Sequence, residues 1–135
     1  MRVEVYWNIR KKEYSMRALT GPGKGRVIRR GRGFTLGDCE LVVQQGGRKR
    51  VLRDGKKNVH AFIRGTWTPH TTDRVFPGSW WHNKISSRVR YNPYRDEQWN
   101  TWDGGERVNR ATTVFLCCRD GHPIVSAVDA AWEGA

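Results

Sequence analysis

Thr112 to Cys118 (TTVFLCC) and Pro123 to Val128 (PIVSAV) are two β-prone runs joined by Arg119-Asp120-Gly121-His122. Asp-Gly supplies the left-handed conformations that a tight hairpin turn needs, so this stretch predicts an antiparallel hairpin. The same period-two texture recurs along the chain. Val3, Val5, Trp7 and Ile9 alternate with Glu4, Tyr6 and Asn8, one set on each face of a strand. Glu13 to Leu19 returns after the basic turn Arg10-Lys11-Lys12 as a second hairpin. Further strands are expected at 26–30, 39–44, 58–64 and 85–91, the last ended by Asn92-Pro93-Tyr94 because Pro cannot continue a central ladder. Helical signal is scant: a turn or two over Arg48 to Arg53, anchored by Val51 and Leu52, and a terminal turn over Asp129 to Trp132. The pattern predicts a mainly β fold, with α+β as the alternative. The architecture expected is a small twisted antiparallel sheet or half-closed barrel with one short helix and long loops.

A chain of 135 residues is expected to make a single domain over 1–135, with room for a core without staples. No repeat or linker divides it. From Thr66 to Lys84 the texture changes to TWTPHTTDRVFPGSWWHNK, rich in Trp and Pro and poor in periodicity. A loop of this length inside a compact domain is usually functional or mobile. Trp99 and Trp102 fall in a second polar loop that closes at Asp103-Gly104-Gly105. No apolar run is long enough to span a bilayer and no basic amphipathic helix is visible, so a membrane partner is not expected. The opening MRVEVYWNI reads as a strand without the apolar core of a signal peptide. Cys39, Cys117 and Cys118 form an odd set without CxxC spacing, which suits reduced thiols better than a disulfide framework or a zinc site. No cofactor is expected.

The charge is lopsided. Residues 1–65 hold 17 Lys/Arg against 5 Asp/Glu, whereas residues 66–135 hold 8 of each, so the first half carries the whole net charge of +12. Such asymmetry points to a polyanionic partner. Its densest stretch is Gly47 to Gly65, GRKRVLRDGKKNVHAFIRG. There Arg48, Lys49, Arg50 and Arg53 precede an Asp54-Gly55 turn, and Lys56 and Lys57 follow it. The strand that comes next sets Val59, Ala61 and Ile63 on one face and His60, Phe62 and Arg64 on the other. With Arg26, Arg29, Arg30 and Arg32 upstream, these cations suit phosphate contacts. The alternative is a solvated basic turn beside a half-buried strand. No recognition-helix pattern is present, so shape, single-strand or backbone recognition is favoured over a sequence-specific duplex reader.

Trp67, Trp80, Trp81, Trp99 and Trp102 lie in loop-like stretches, where rings beside cations can stack on bases or anchor a protein partner. They can equally be bulk apolar anchors for long loops, and Trp7 reads as core. Catalysis is a further possibility: His60 with Lys57, Arg64, Arg90 and Tyr91 or Tyr94 has the groups that metal-independent RNA cleavage requires. A lone strand histidine is more often packed or hydrogen-bonded, and no metal-ligand spacing is present.

Lys57-Asn58-Val59-His60-Ala61-Phe62 and Arg90-Tyr91-Asn92-Pro93-Tyr94, with Val5-Tyr6-Trp7-Asn8 and Arg50-Val51-Leu52-Arg53, resemble strings in a family of small, basic, uncharacterised bacteriophage-encoded proteins. The likeness covers residues 3–64 and 85–128, with 66–84 as an insertion. The resemblance implies a phage origin and action in the bacterial host cytoplasm, and it carries no catalytic residue over. The leading expectation is a non-enzymatic protein that binds RNA or DNA through Arg26 to Arg32 and Arg48 to Arg64. The second is an inhibitor that docks on a host nucleic-acid machine such as a polymerase, nuclease or immune complex. The third is a small ribonuclease.

Overall fold

A computed structural model of the chain describes residues 1–44, 49, 53, 61–68, 86–90, 99–101 and 106–132. Its strands are β1 (Arg2–Asn8), β2 (Glu13–Ala18), β3 (Val27–Gly31), β4 (Phe34–Val43), β5 (Ala61–Thr66), β6 (Ser86–Arg90), β7 (Asn100–Thr101), β8 (Arg110–Arg119) and β9 (His122–Val128). They form one antiparallel sheet in the order β3-β2-β1-β5-β4-β8-β9-β6-β7. The two-residue β7 is little more than a bridge beside the eight longer strands. The protein is mainly β, with essentially no helix among the described residues. Within the expected 48–53 turn, Lys49 and Arg53 are helical and exposed.

The sheet is open, yet it curls. β3 lies at one edge and β4 is four places away in the strand order, about 19 Å across a flat sheet. Only Arg32 and Gly33 separate them in the chain, which reaches about 11 Å from Gly31 to Phe34. The sheet must therefore coil until edge strand β3 approaches the start of β4. Two contacts register this. The Tyr14 hydroxyl of β2 donates to the Cys117 carbonyl of β8 at 2.6 Å. A Cβ on Gly31 would lie 3.2 Å from the Phe34 ring.

Alternation sends one side of each strand into the coil. Val3, Val5 and Trp7 of β1 meet Tyr14 and Met16 of β2, Ile63 of β5, Leu36 and Leu41 of β4, and Val114, Leu116 and Val125 of β8 and β9, all buried. Trp7 and Tyr14 pack edge to face, with ring centroids 4.9 Å apart. Ile9, expected inward, lies beyond the end of β1 and is 42% exposed.

β4 starts at Phe34, five residues before the expected 39, because a bulge breaks its alternation. Phe34 and Leu36 point inward, then Cys39 and Leu41 do. The phase changes between Gly37 and Glu40, where the register with β5 shifts and Asp38 takes φ 49°. An extra residue at a bulge moves every later side chain to the other face. The Arg2 guanidinium donates to the Asp38 carbonyl at 2.7 Å, tying the bulge to β1. Gly65 passes beneath it: a Cβ there would sit 3.0 Å from both Cys39 Sγ and Leu36 Cβ.

The 112–128 hairpin forms as expected, with Arg119 opposite His122 and left-handed Asp120 (φ 53°) and Gly121 (φ 76°) in the turn. The terminal helical turn expected over Asp129 to Trp132 does not form. Ala131 instead bridges Arg110 antiparallel, extending the sheet by one rung. A bridge gives its backbone groups partners at once, whereas a single helical turn satisfies almost none.

Candidate nucleic-acid interface

The β1–β2 turn is built by Asn8, whose side-chain oxygen accepts from the backbone N–H of Arg10 and of Lys11, each at 3.1 Å. The Lys12 N–H donates to the Asn8 carbonyl at 2.8 Å, and Lys12 takes φ 52°. Asn and Asp side chains make such local turns readily. The result is a tight loop with Arg10, Lys11 and Lys12 all exposed.

Two other basic segments arrive beside it. The β8–β9 turn touches it, since a Cβ on Gly121 would lie 3.2 Å from Lys12 Cδ. Arg119 in that turn is exposed, with Asp120 4.0 Å away and equally solvated, a pair of little energetic weight. The end of β3 also comes near, because Gly31 pairs with Tyr14, two residues past Lys12. Burial pushes the Cys118 thiol up, and the neighbouring Arg32 guanidinium partly offsets this. One end of the coiled sheet therefore gathers Arg10, Lys11, Lys12, Arg32 and Arg119 from three segments far apart in the chain.

β3 runs away from this end along an open sheet edge. Arg26, Arg29, Arg30 and Arg32 are exposed, as is Lys24 just before the strand. Among the described residues, Lys24, Arg26, Arg30 and Arg32 have no carboxylate within ion-pair distance. Arg29 is spoken for: its guanidinium lies 5.3 Å from the centroid of the Trp67 ring.

The second basic stretch enters from the neighbouring strand. Val5 pairs with Ile63 antiparallel, which sets Ala61 beside the end of β1. The connection from Val43 to Ala61 thus leaves the sheet next to the β1–β2 turn. Lys49 and Arg53 belong to it and are exposed, with Arg53 already engaged. Arg48, Arg50, Lys56, Lys57 and His60 lie outside the described residues, as do Tyr91 and Tyr94.

Arg64 has a different setting. It stands in a row across the sheet's outer face: Val27, Arg17, Glu4, Arg64, Glu40, Arg110, each opposite the next in register. The Glu4 side chain is 6% exposed; Arg17 Nη2 donates to it at 2.5 Å and Arg64 Nε at 2.8 Å. The Arg17 guanidinium also lies over the Tyr6 and Phe62 rings, at 5.4 and 5.3 Å. Arg64 is half-exposed and shares an internal carboxylate, so it is the least available of the expected phosphate contacts.

Burial corrects two of the expected stacking rings. Trp67 is 6% exposed and packs edge to face on Phe34. Trp99 is 3% exposed and donates its Nε1–H to the Val42 carbonyl at 3.2 Å. Both are core, because the curl closes over segments that look like loops in the sequence. Trp80, Trp81 and Trp102 lie outside the described residues. The ring that sequence reasoning missed is Trp132, 45% exposed with the Arg107 guanidinium 4.3 Å from its centroid. The missed cations are Arg10, Lys11, Lys12 and Arg119, each visible as a basic turn but without any sign that the turns meet.

An open, coiled antiparallel sheet whose one end and one edge are cationic defines a small, basic, mainly β protein. The chain belongs to the Mycobacterium phage L5 gene 82 protein family, whose model matches residues 1–121. It is similar to the Gene 82 protein of Mycobacterium phage L5, 34% identical over 103 residues that cover 72% of this chain and 75% of the relative. No solved structure matches the chain.

Proposed function

We propose that this phage protein binds nucleic acid through phosphate contacts made by the cationic end and the β3 edge, in the cytoplasm of its bacterial host. The observation that carries the reading is that Arg10, Lys11, Lys12, Arg32 and Arg119 lie in segments that meet at one end of the sheet. Clustered cations displace condensed counterions from a polyanion, which gives affinity without sequence readout. The described residues are almost all sheet, which favours a single strand or the backbone of a duplex over a groove read by a helix. The test is reversal of Arg10, Lys11, Lys12 and Arg32 to Glu. All four are exposed, so the melting curve should hold while retention on heparin and binding of labelled oligonucleotides collapse. Unchanged retention by a folded variant would refute the site.

A second reading, docking on a host nucleic-acid machine, is favoured by one feature. β3 is a sheet edge with Val27 and Ile28 37% and 39% exposed, and such an edge can accept a strand from a partner. Salt separates the two readings. Phosphate binding falls steeply from low to moderate salt, whereas an edge-strand interface built on backbone hydrogen bonds and apolar contacts persists.

A further inference from the structure

We infer that the cleft between Trp99 and Trp132 is a stacking site for one unpaired nucleobase, with Trp132 as its platform; this rests on the nucleic-acid reading above. The cleft has a volume of about 170 Å³ and is floored by Leu41, Val43 and Val108, with Trp99, Arg107, Asn109 and Trp132 around it. That is below the ~300 Å³ at which pockets for drug-sized ligands begin, and it suits a single planar ring system.

Trp132 is an exposed indole held in place. The residue before it, Ala131, donates to the Arg110 carbonyl at 3.0 Å, and its own carbonyl accepts from Asn109 and Arg110 at 2.9 and 3.1 Å. The Arg107 guanidinium lies over the ring. The cation covers one face of the indole, so a base would stack on the opposite face, and a ring already fixed loses little freedom when one arrives.

Val43 is the last residue of β4, so the connection carrying Lys49 and Arg53 begins one residue beyond the cleft floor. A second cleft, sharing Leu41 and Asn109 with the first, is bounded by Glu40 and Arg110. Glu40 repels a phosphate there, and Arg110 already stands opposite it.

The test compares a homopyrimidine single strand with an abasic strand of the same phosphate count, in DNA and RNA versions, by fluorescence anisotropy at low salt. The wild type should prefer the base-bearing strand by roughly tenfold or more in at least one sugar series. Trp132→Ala should abolish that preference while leaving abasic binding unchanged, and Trp132→Phe should keep most of it. Arg107→Ala should weaken the preference as well, and it carries the test if Trp132→Ala misfolds. Binding of both strands without preference, or a preference that survives Trp132→Ala, overturns the cleft and leaves the phosphate reading standing. A wild type that binds neither strand overturns the reading and the cleft together.

Discussion

Glu4 is a carboxylate in the outer layer of a sheet, with a guanidinium from each neighbouring strand upon it. The half-exposed arginines keep part of their hydration, so the triad is not a buried ion cluster with its full desolvation cost. Removing the acid would leave two like charges on the strands that flank β1 with their shared acceptor gone. Glu4→Gln is expected to lower stability by about 1–3 kcal/mol, read as a drop in the urea midpoint at constant slope. An unchanged midpoint would mean that Arg17 and Arg64 gain nothing from the carboxylate. Cys39 makes a pH prediction with a definite sign. Burial raises its thiol from 9.0 to about 12, so the unfolded chain releases this proton first. The contribution is intact below pH 9 and is lost as pH rises toward 12. Wild type should lose more stability than Cys39→Ala across that window. Parallel pH profiles for the two proteins would refute it.

At the scale of the element, β4 shows how a single inserted residue governs a strand. Its bulge at Gly37–Asp38 shifts the inward set from Phe34 and Leu36 to Cys39 and Leu41, and the close approach of Gly65 gives the kink its seat. Gly65→Ala would push a methyl group against Leu36 Cβ and the Gly37 carbonyl, both on rigid backbone. A loss of about 1–3 kcal/mol is expected, seen as a lower melting temperature; a gain would show the bulge free to yield. This is also where the sequence is least readable. Alternation is recognised by constant phase, and a strand that switches phase looks like an unstructured stretch followed by a short strand. The Asp120-Gly121 hairpin is the opposite case, because its turn chemistry is local and nothing distant modifies it.

Across the whole molecule, the curl decides what the charges do. Without it the β1–β2 turn, the end of β3 and the β8–β9 turn would be three separate basic points, each weakly attractive to a polyanion. Gathered together they raise the local potential. The steepness of binding against salt reports this. Each phosphate contact contributes about −0.7 to −0.9 to the slope of log K against log salt. Charge neutralisation of Arg10, Lys11 and Lys12 to Gln should therefore flatten the slope by about 2 if the turn contacts phosphates as a unit. A parallel shift with no change of slope would place the contacts elsewhere. The same curl explains why Trp67 and Trp99 were misjudged: each sits in a stretch with polar neighbours, and only the returning sheet makes its position an interior one.

The amino-acid sequence by itself determined the β character, most strand limits, the inward and outward faces of β1 and β5, and the cationic first half. These follow from short-range rules: period-two burial, turn residues and simple charge counting. The tertiary structure alone decided the phase switch in β4, the burial of Trp67 and Trp99, the capture of Arg64 by Glu4, and the meeting of three basic segments at one end. Each depends on contacts between residues distant in the chain. Sheet coiling brings those contacts about, and a local pattern carries no record of how far a sheet will coil.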